Sequence, residues 1–197
     1  MKYDIILAGV GGQGVLAVGA IMLAVGAIIA SSAMKEGLAV KQSEVHGMSQ
    51  RGGAVLANLR LADGPIASDL IPFGGASLIL SMEPLESLRY LRYLSPSGAV
   101  ITATNPVVNI PDYPDLEGLL GRIRALPWAR LVDGETLARE AGSARATNMV
   151  MVGAASHRLP VEVATLEHFI RTVFAPKGDK VVEANLKAFR AGREAAA

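Results

Sequence analysis

From Ile5 to Met34 the chain carries no charged side chain, and what breaks this stretch is a glycine turn, Gly9-Val10-Gly11-Gly12-Gln13-Gly14. A run of this kind suits a membrane span, or a buried strand and a buried helix joined by a tight turn. A spanning helix needs roughly 20 consecutive apolar residues, and the segment after the turn, Val15 to Ala30, has 16. The start, Met1-Lys2-Tyr3-Asp4, has an acid where a signal peptide requires a basic region. The stretch is therefore read as a short strand, Tyr3 to Ala8, a glycine turn, and an apolar helix ending near Gly37.

The rest of the chain keeps alternating. A strand is predicted over Leu38 to Gln42, then a polar loop from Ser43 to Gly53. Ala54 to Leu61 reads as a half-exposed strand, with Val55, Ala57, Leu59 and Leu61 on one face and Asn58 and Arg60 on the other. Ser77 to Ser81 and Gly98 to Thr104 are apolar strands. Glu83 to Leu94 is a helix with Pro84 in its first turn. Asn109 to Asp115, with Pro111 and Pro114, is irregular. Leu116 to Leu126 is a helix, Arg130 to Val132 a short strand, and Glu135 to Glu194 mostly helical. Strands alternating with helices predict an α/β fold. We expect one doubly wound, mostly parallel, Rossmann-like sheet with helices on both faces and a helical C-terminal part, all in a single domain, 1–197.

The first helix contains a repeat: Leu16 to Met22 is followed at once by the near-copy Leu23 to Ile29. Gly12, Gly19 and Gly26 are thereby seven residues apart. Seven residues return almost to the same helix face, so the helix would carry a smooth glycine strip that a sheet or another helix can approach closely. The repeat is read as a two-turn lengthening of one packed helix, the rival reading being a functional helix–helix seam.

The glycine turn matches GxGxxG between a strand and a helix. Glycines allow close backbone approach, and the amides and dipole at a helix start favour an anion. Gly9, Gly11, Gly12, Gln13 and Gly14 are therefore candidate cofactor-binding residues. A dinucleotide site also requires an acid about 20 residues on, at the end of the second strand. Glu36 lies 22 residues past Gly14 but before that strand, and Glu44 lies 30 past it. An anion or cofactor-edge contact, an NAD site and a purely structural turn all remain open at this point.

Composition excludes other classes. The net charge is +1, from 19 basic and 18 acidic residues, so no broad basic field for nucleic acid exists. There is no cysteine, hence no disulfide, thiolate nucleophile or cysteine-ligated cluster. His46, His157 and His168 lack zinc-ligand spacing, and no metal site is expected on the chain. A hydrophobic share of 51% and a mean hydropathy of +0.36 point to surface that a partner covers.

The segment Gln42-Ser-Glu-Val-His-Gly-Met-Ser-Gln-Arg-Gly-Gly53 concentrates chemistry after the second strand, where loops of an open α/β sheet face the binding crevice. Ser43, Glu44, His46, Gln50, Arg51, Gly52 and Gly53 join the glycine turn as candidate site residues. Glu44 and His46 are the candidates for a catalytic role, though none is assigned as catalytic base. Arg51 suits two-pronged pairing with a carboxylate or phosphate, and His46 suits a proton relay. Plain alternatives are a Glu44–Arg51 ion pair of small worth and a loop-fixing histidine.

The glycine turn followed by Ser43-Glu-Val-His-Gly-Met-Ser-Gln-Arg-Gly-Gly53 resembles the gamma-type subunits or domains of the 2-oxoacid:ferredoxin oxidoreductases. Within that family it is similar to the small subunits of the indolepyruvate-type enzymes. Arg145-Ala-Thr-Asn-Met149 and Asn185-Leu-Lys-Ala-Phe189 add to the likeness, which runs nearly end to end, and the second heptad departs from it. The resemblance implies a cytoplasmic complex, inactive as this chain alone. There a large subunit holds thiamine diphosphate, Mg2+ and [4Fe-4S] clusters, and the 2-oxoacid and coenzyme A become acyl-CoA, CO2 and reduced ferredoxin. It also implies a domain that packs beside the active centre. Our reading is that this chain walls that centre and holds no cofactor alone, and the charge and the broken apolar run leave neither nucleic acid nor membrane as an expected partner. The rival readings are an independent NAD-dependent oxidoreductase and a purely structural subunit.

Overall fold

The computed structural model describes residues 1–11, 18–46 and 53–197, with backbone alone for 18–23 and 46. Six strands are present among the described residues: β1 Lys2–Val10, β2 Ala39–His46, β3 Ala54–Ala62, β4 Ala76–Ser81, β5 Leu94–Ala103 and β6 Ala129–Val132. They form one sheet in the order β2-β3-β1-β4-β5-β6. The pairs β1–β4, β4–β5 and β5–β6 are parallel, while β3 is antiparallel to both β1 and β2. Five strands thus share one direction, as the expected mostly parallel sheet requires, and β3 opposes them.

Seven helices complete the described fold: α1 Val18–Lys35, α2 Pro84–Arg89, α3 Leu116–Arg124, α4 Gly134–Glu140, α5 Thr147–Ala155, α6 Val163–Phe174 and α7 Asp179–Ala195. Strand alternation sorts the core. Ile5 and Leu7 of β1 face a large cluster with Val25, Ile28 and Ile29 of α1, and with α5, α6 and α7. Ile6 and Ala8 face the other layer with Ile71, Ile79, Tyr90 and Val100. Each fully buried aliphatic side chain of this type contributes about 1.5–3 kcal/mol, so a strand buried on both faces is strongly held in register. Among the described residues no helix is long and apolar enough to cross a membrane. The buried Val25, Ile28, Ile29 and Ala33 explain why α1 is so apolar.

Three sequence expectations need correction. β2 runs to His46, so Ser43 to His46 belong to a strand; Ala39 to His46 pair residue by residue with Ala62 to Val55 of β3, and that ladder outweighs the polar composition. β3 is not half-exposed: Asn58 and Arg60 are buried too. The segment 63–75 covers them, with the Arg60 guanidinium donating to the carbonyls of Ser68 and Leu70, both at 2.8 Å. The helix starting at Pro84 stops at Arg89, and a 3-10 turn, Leu91–Tyr93, follows, because Leu94 already pairs with Ala76 of β4. The glycine strip holds where it is described: a methyl on Gly26 would meet the Gln42 side chain at 2.7 Å, so glycine lets β2 close on α1.

Candidate functional site at the carboxyl edge of the sheet

β1 and β2 point the same way with β3 between them, so their ends emerge at one edge. The register makes this concrete: Gly9, Val55 and His46 lie on one row across β1, β3 and β2. Neighbouring strands are about 4.8 Å apart, which puts Gly9 and His46 backbones about 10 Å apart. Beyond that row the Gly11 N–H donates to the Gly53 carbonyl at 2.7 Å. The glycine turn and the far end of the polar segment are thus joined directly. A methyl on Gly11 would be 3.4 Å from that carbonyl oxygen and 3.7 Å from Val55 Cγ2. The space is ordinary contact distance, so packing alone does not demand glycine here.

This edge also holds the topological switch point. α1, following β1, packs on one face of the sheet, while α2, following β4, belongs to the other. Crevices at such points are the usual ligand sites of open α/β sheets. At this edge the Met82 N–H donates to the Ala8 carbonyl at 2.9 Å.

Glu83, expected from the sequence only as a helix start, organises the β4 side of this edge. It is 1% exposed. Its Oε2 caps α2 by accepting from the Glu86 N–H at 2.8 Å, while Oε1 accepts from the Val107 N–H at 3.4 Å and from the Tyr113 hydroxyl. One buried carboxylate therefore fixes both the start of α2 and the segment between β5 and α3. Burial first, then the hydrogen bond to Glu83, drives the Tyr113 hydroxyl well above the ordinary phenol range. Glu86 is also raised, chiefly by burial, with Arg89 opposing. At the β6 end, Asp133 caps α4 through the Thr136 N–H at 3.1 Å; that bond, with the Asn105 side chain further on, lowers its carboxyl below the usual range. The short spacing of Glu83 before Pro84 was the available sequence signal for the cap, but its link to Tyr113 is 30 residues long.

The described candidates divide as follows. Gly9 is within β1 and Gly11 at its end, and Gly53 immediately precedes β3. Ser43 lies opposite Asn58, whose Nδ2 donates to the Ser43 hydroxyl at 3.4 Å. Glu44 lies opposite Ala57, with its Oε1 buried. His46 closes β2. Gly12, Gln13, Gly14, Gln50, Arg51 and Gly52 lie outside the described residues. The dinucleotide alternative loses its geometry: that site needs the second strand beside the first, whereas antiparallel β3 separates β1 from Glu44. The motifs around Asn148 and Asn185 are accounted for by packing. Asn148 is buried and accepts from the Met149 N–H at 3.0 Å. Asn185 donates to the Val181 carbonyl at 2.7 Å, and Phe189 is fully buried between helices.

Among the described residues no cluster of three or more His, Cys, Asp or Glu side chains could hold a metal ion. Fold and edge geometry together define an open α/β sheet whose carboxyl edge carries the candidate site. The chain belongs to the pyruvate ferredoxin/flavodoxin oxidoreductase family, whose sequence profile matches residues 4–195. It is 36% identical to the indolepyruvate oxidoreductase subunit IorB of Archaeoglobus fulgidus over 98% of this chain and 94% of that one. It is likewise 36% identical to the subunit of the same name from Pyrococcus horikoshii, over 99% and 96%. The 2-oxoglutarate synthase subunit KorC of Methanothermobacter thermautotrophicus is 29% identical over 98% and 95%. Among solved structures, the keto/oxoacid ferredoxin oxidoreductase gamma subunit of Geobacter sulfurreducens matches with a TM-score of 0.68 at 23% identity, covering 98% of both chains. The 2-oxoglutarate:ferredoxin oxidoreductase of Magnetococcus marinus matches with a TM-score of 0.75 at 22% identity, over 99% of this chain but 31% of that longer one.

Proposed function

We propose that the chain is the small subunit of a 2-oxoacid:ferredoxin oxidoreductase acting on indolepyruvate or a related aryl-2-oxoacid, and that its carboxyl edge walls the active centre of a larger partner subunit. The observation carrying this reading is the Gly11–Gly53 hydrogen bond, which joins the glycine turn to the polar segment at the switch point. Relatives with the IorB name at 36% identity support the substrate class.

The division of labour follows from the residues present. A chain without cysteine offers no thiolate ligand for iron–sulfur clusters. Those clusters, thiamine diphosphate and its Mg2+ belong to the larger subunit in this reading. Thiamine diphosphate, when bound there, supplies the carbanion stabilisation that decarboxylation of a 2-oxoacid requires. This chain positions and screens. The Gly11 N–H is committed to Gly53, so it holds the edge in shape and does not face a phosphate. Glu44, His46, Gln50 and Arg51 are the residues we assign to this role from their chemistry, Arg51 being suited to a carboxylate or a coenzyme A phosphate. Glu83 and Tyr113 hold the opposite wall.

The test is turnover of the assembled complex with Arg51→Met and His46→Ala, assembly being followed by gel filtration. Turnover about tenfold lower or worse, equivalent to roughly 1.4 kcal/mol in the barrier, is expected with assembly intact. Wild-type turnover in both variants would leave the segment a structural role and overturn the reading of the edge.

A further inference from the structure

At the amino ends of β4 and β5, the edge opposite the candidate site, the segment 63–75 and the turn Leu91–Tyr93 build an aromatic cluster on the surface. Phe73 is 65% exposed and Leu70 57%. The Phe73 ring meets Tyr93 edge-on, with centroids 4.9 Å apart and an interplanar angle of 71°. The Arg92 guanidinium carbon lies 4.7 Å from the Phe73 centroid and 5.5 Å from that of Tyr93.

This cluster is held rigidly. The Gly74 N–H donates to the Arg92 carbonyl at 3.0 Å, with Gly74 at φ 71°, a conformation that favours glycine. Arg60 grips the Ser68 and Leu70 carbonyls. The Ile71 N–H donates to Asn58 Oδ1 at 3.1 Å, and the Ile71 side chain is buried in the core. Large apolar side chains fixed in place and left in water are what a binding surface needs, since little entropy remains to be lost on docking.

We propose that Leu70, Phe73, Arg92 and Tyr93 form a docking surface for an apolar, acid-bearing segment of the larger partner subunit. The inference rests on the functional reading above. Charge decides the occupant. Arg92 makes no ion pair among the described residues. A guanidinium lying over an aromatic ring still has N–H groups to offer a carboxylate. A second copy of this chain across a twofold axis would instead bring Arg92 toward its own equivalent. Aromatic residues and arginine dominate the energetics of such interfaces. The surface faces away from Gly11 and His46, so it contributes to assembly and not to the chemistry.

The experiment titrates the larger subunit with the wild-type chain and with Phe73→Ser, Arg92→Glu and Arg92→Lys, reading the assembly Kd by sedimentation. Phe73→Ser and Arg92→Glu are expected to raise Kd about tenfold or more, and Arg92→Lys less. The complex formed at saturating subunit should turn over at the wild-type rate, and the isolated variants should melt within a few degrees of wild type, because both side chains are largely exposed. Unchanged Kd in Phe73→Ser and Arg92→Glu overturns the proposal. Self-association that these variants abolish, with unchanged affinity for the larger subunit, overturns it in favour of a second copy. Absence of any complex with the wild-type chain would instead sink the functional reading itself, and this inference with it.

Discussion

Arg60 grips Asp4 through two hydrogen bonds, Nε to Oδ1 at 2.9 Å and Nη2 to Oδ2 at 3.1 Å, between strands that pair antiparallel. Asp4 is 1% exposed and Arg60 8%. Lys2 approaches Asp4 at 3.2 Å from the solvent side. The same guanidinium fastens the segment carrying Leu70 and Phe73, so one buried residue couples the β1–β3 pairing to the aromatic surface. Arg60→Met would leave Asp4 buried with Lys2 as its remaining cation and free the Ser68 and Leu70 carbonyls. Removing one partner of a buried pair costs about 3–5 kcal/mol; with Lys2 compensating, the lower end is expected. Urea unfolding of the isolated chain measures this, and a loss below about 1 kcal/mol would show the pair to be dispensable.

A second expectation concerns the crossing of α5 and α7. A methyl on Gly153 would lie 1.9 Å from the Phe189 carbonyl oxygen, and one on Gly192 1.9 Å from that of Val150. These obstacles are backbone, so no side-chain rotation relieves them. Gly153→Ala and Gly192→Ala must push the helices apart, and each is expected to cost about 3 kcal/mol or more. Melting of each variant, with circular dichroism to establish helix content, gives the answer. Near-wild-type stability in both would mean the crossing is looser than these distances.

These particulars mark what was legible in the sequence. Ile5 to Ala8, Ser77 to Ser81 and the long apolar helix were readable because local hydrophobic runs fix burial whatever the pairing. The place of β3 was not, because strand order and direction depend on contacts between distant residues. That antiparallel insertion is what separates Glu44 from β1 and removes the dinucleotide alternative. Ser43 to His46 looked like a loop because an edge strand tolerates polar side chains that a central strand would not. The Gly26 close approach was foreseen from the heptad spacing, whereas Glu83 needed Tyr113, which no local pattern connects to it.

Alkaline pH should destabilise the fold through its tyrosines. Burial pushes Tyr3 up to about 12, with Arg158 opposing, and Tyr113 is raised as well. Above the ordinary phenol value of about 10, the unfolded chain loses phenolic protons that the native state keeps. The native state then binds more protons, and stability falls as pH rises past about 10 and through the folded values. Below about 10 both states are protonated, and these groups add no pH dependence. Urea midpoints measured across this range should decline on the alkaline side. Tyr3→Phe and Tyr113→Phe should each flatten the decline, and an unaltered slope in both would assign it to other groups.

Gly11→Ala separates a structural edge from a functional one. Unlike Gly153, Gly11 has room for a methyl, at 3.4 Å from the Gly53 carbonyl oxygen, and its N–H remains able to donate to that oxygen. Its φ is not in the left-handed region, so alanine brings no backbone strain. The variant should therefore fold with a stability change under about 1 kcal/mol. If the edge walls an active centre, the methyl stands where substrate, cofactor or the partner's surface must approach the backbone. Turnover of the assembled complex is then expected to fall about tenfold or more, roughly 1.4 kcal/mol in the barrier. The measurement is steady-state kinetics on the complex beside thermal melting of the isolated chain. Loss of stability in step with loss of turnover would return Gly11 to a packing role, and full turnover with full stability would show that nothing needs to come close there.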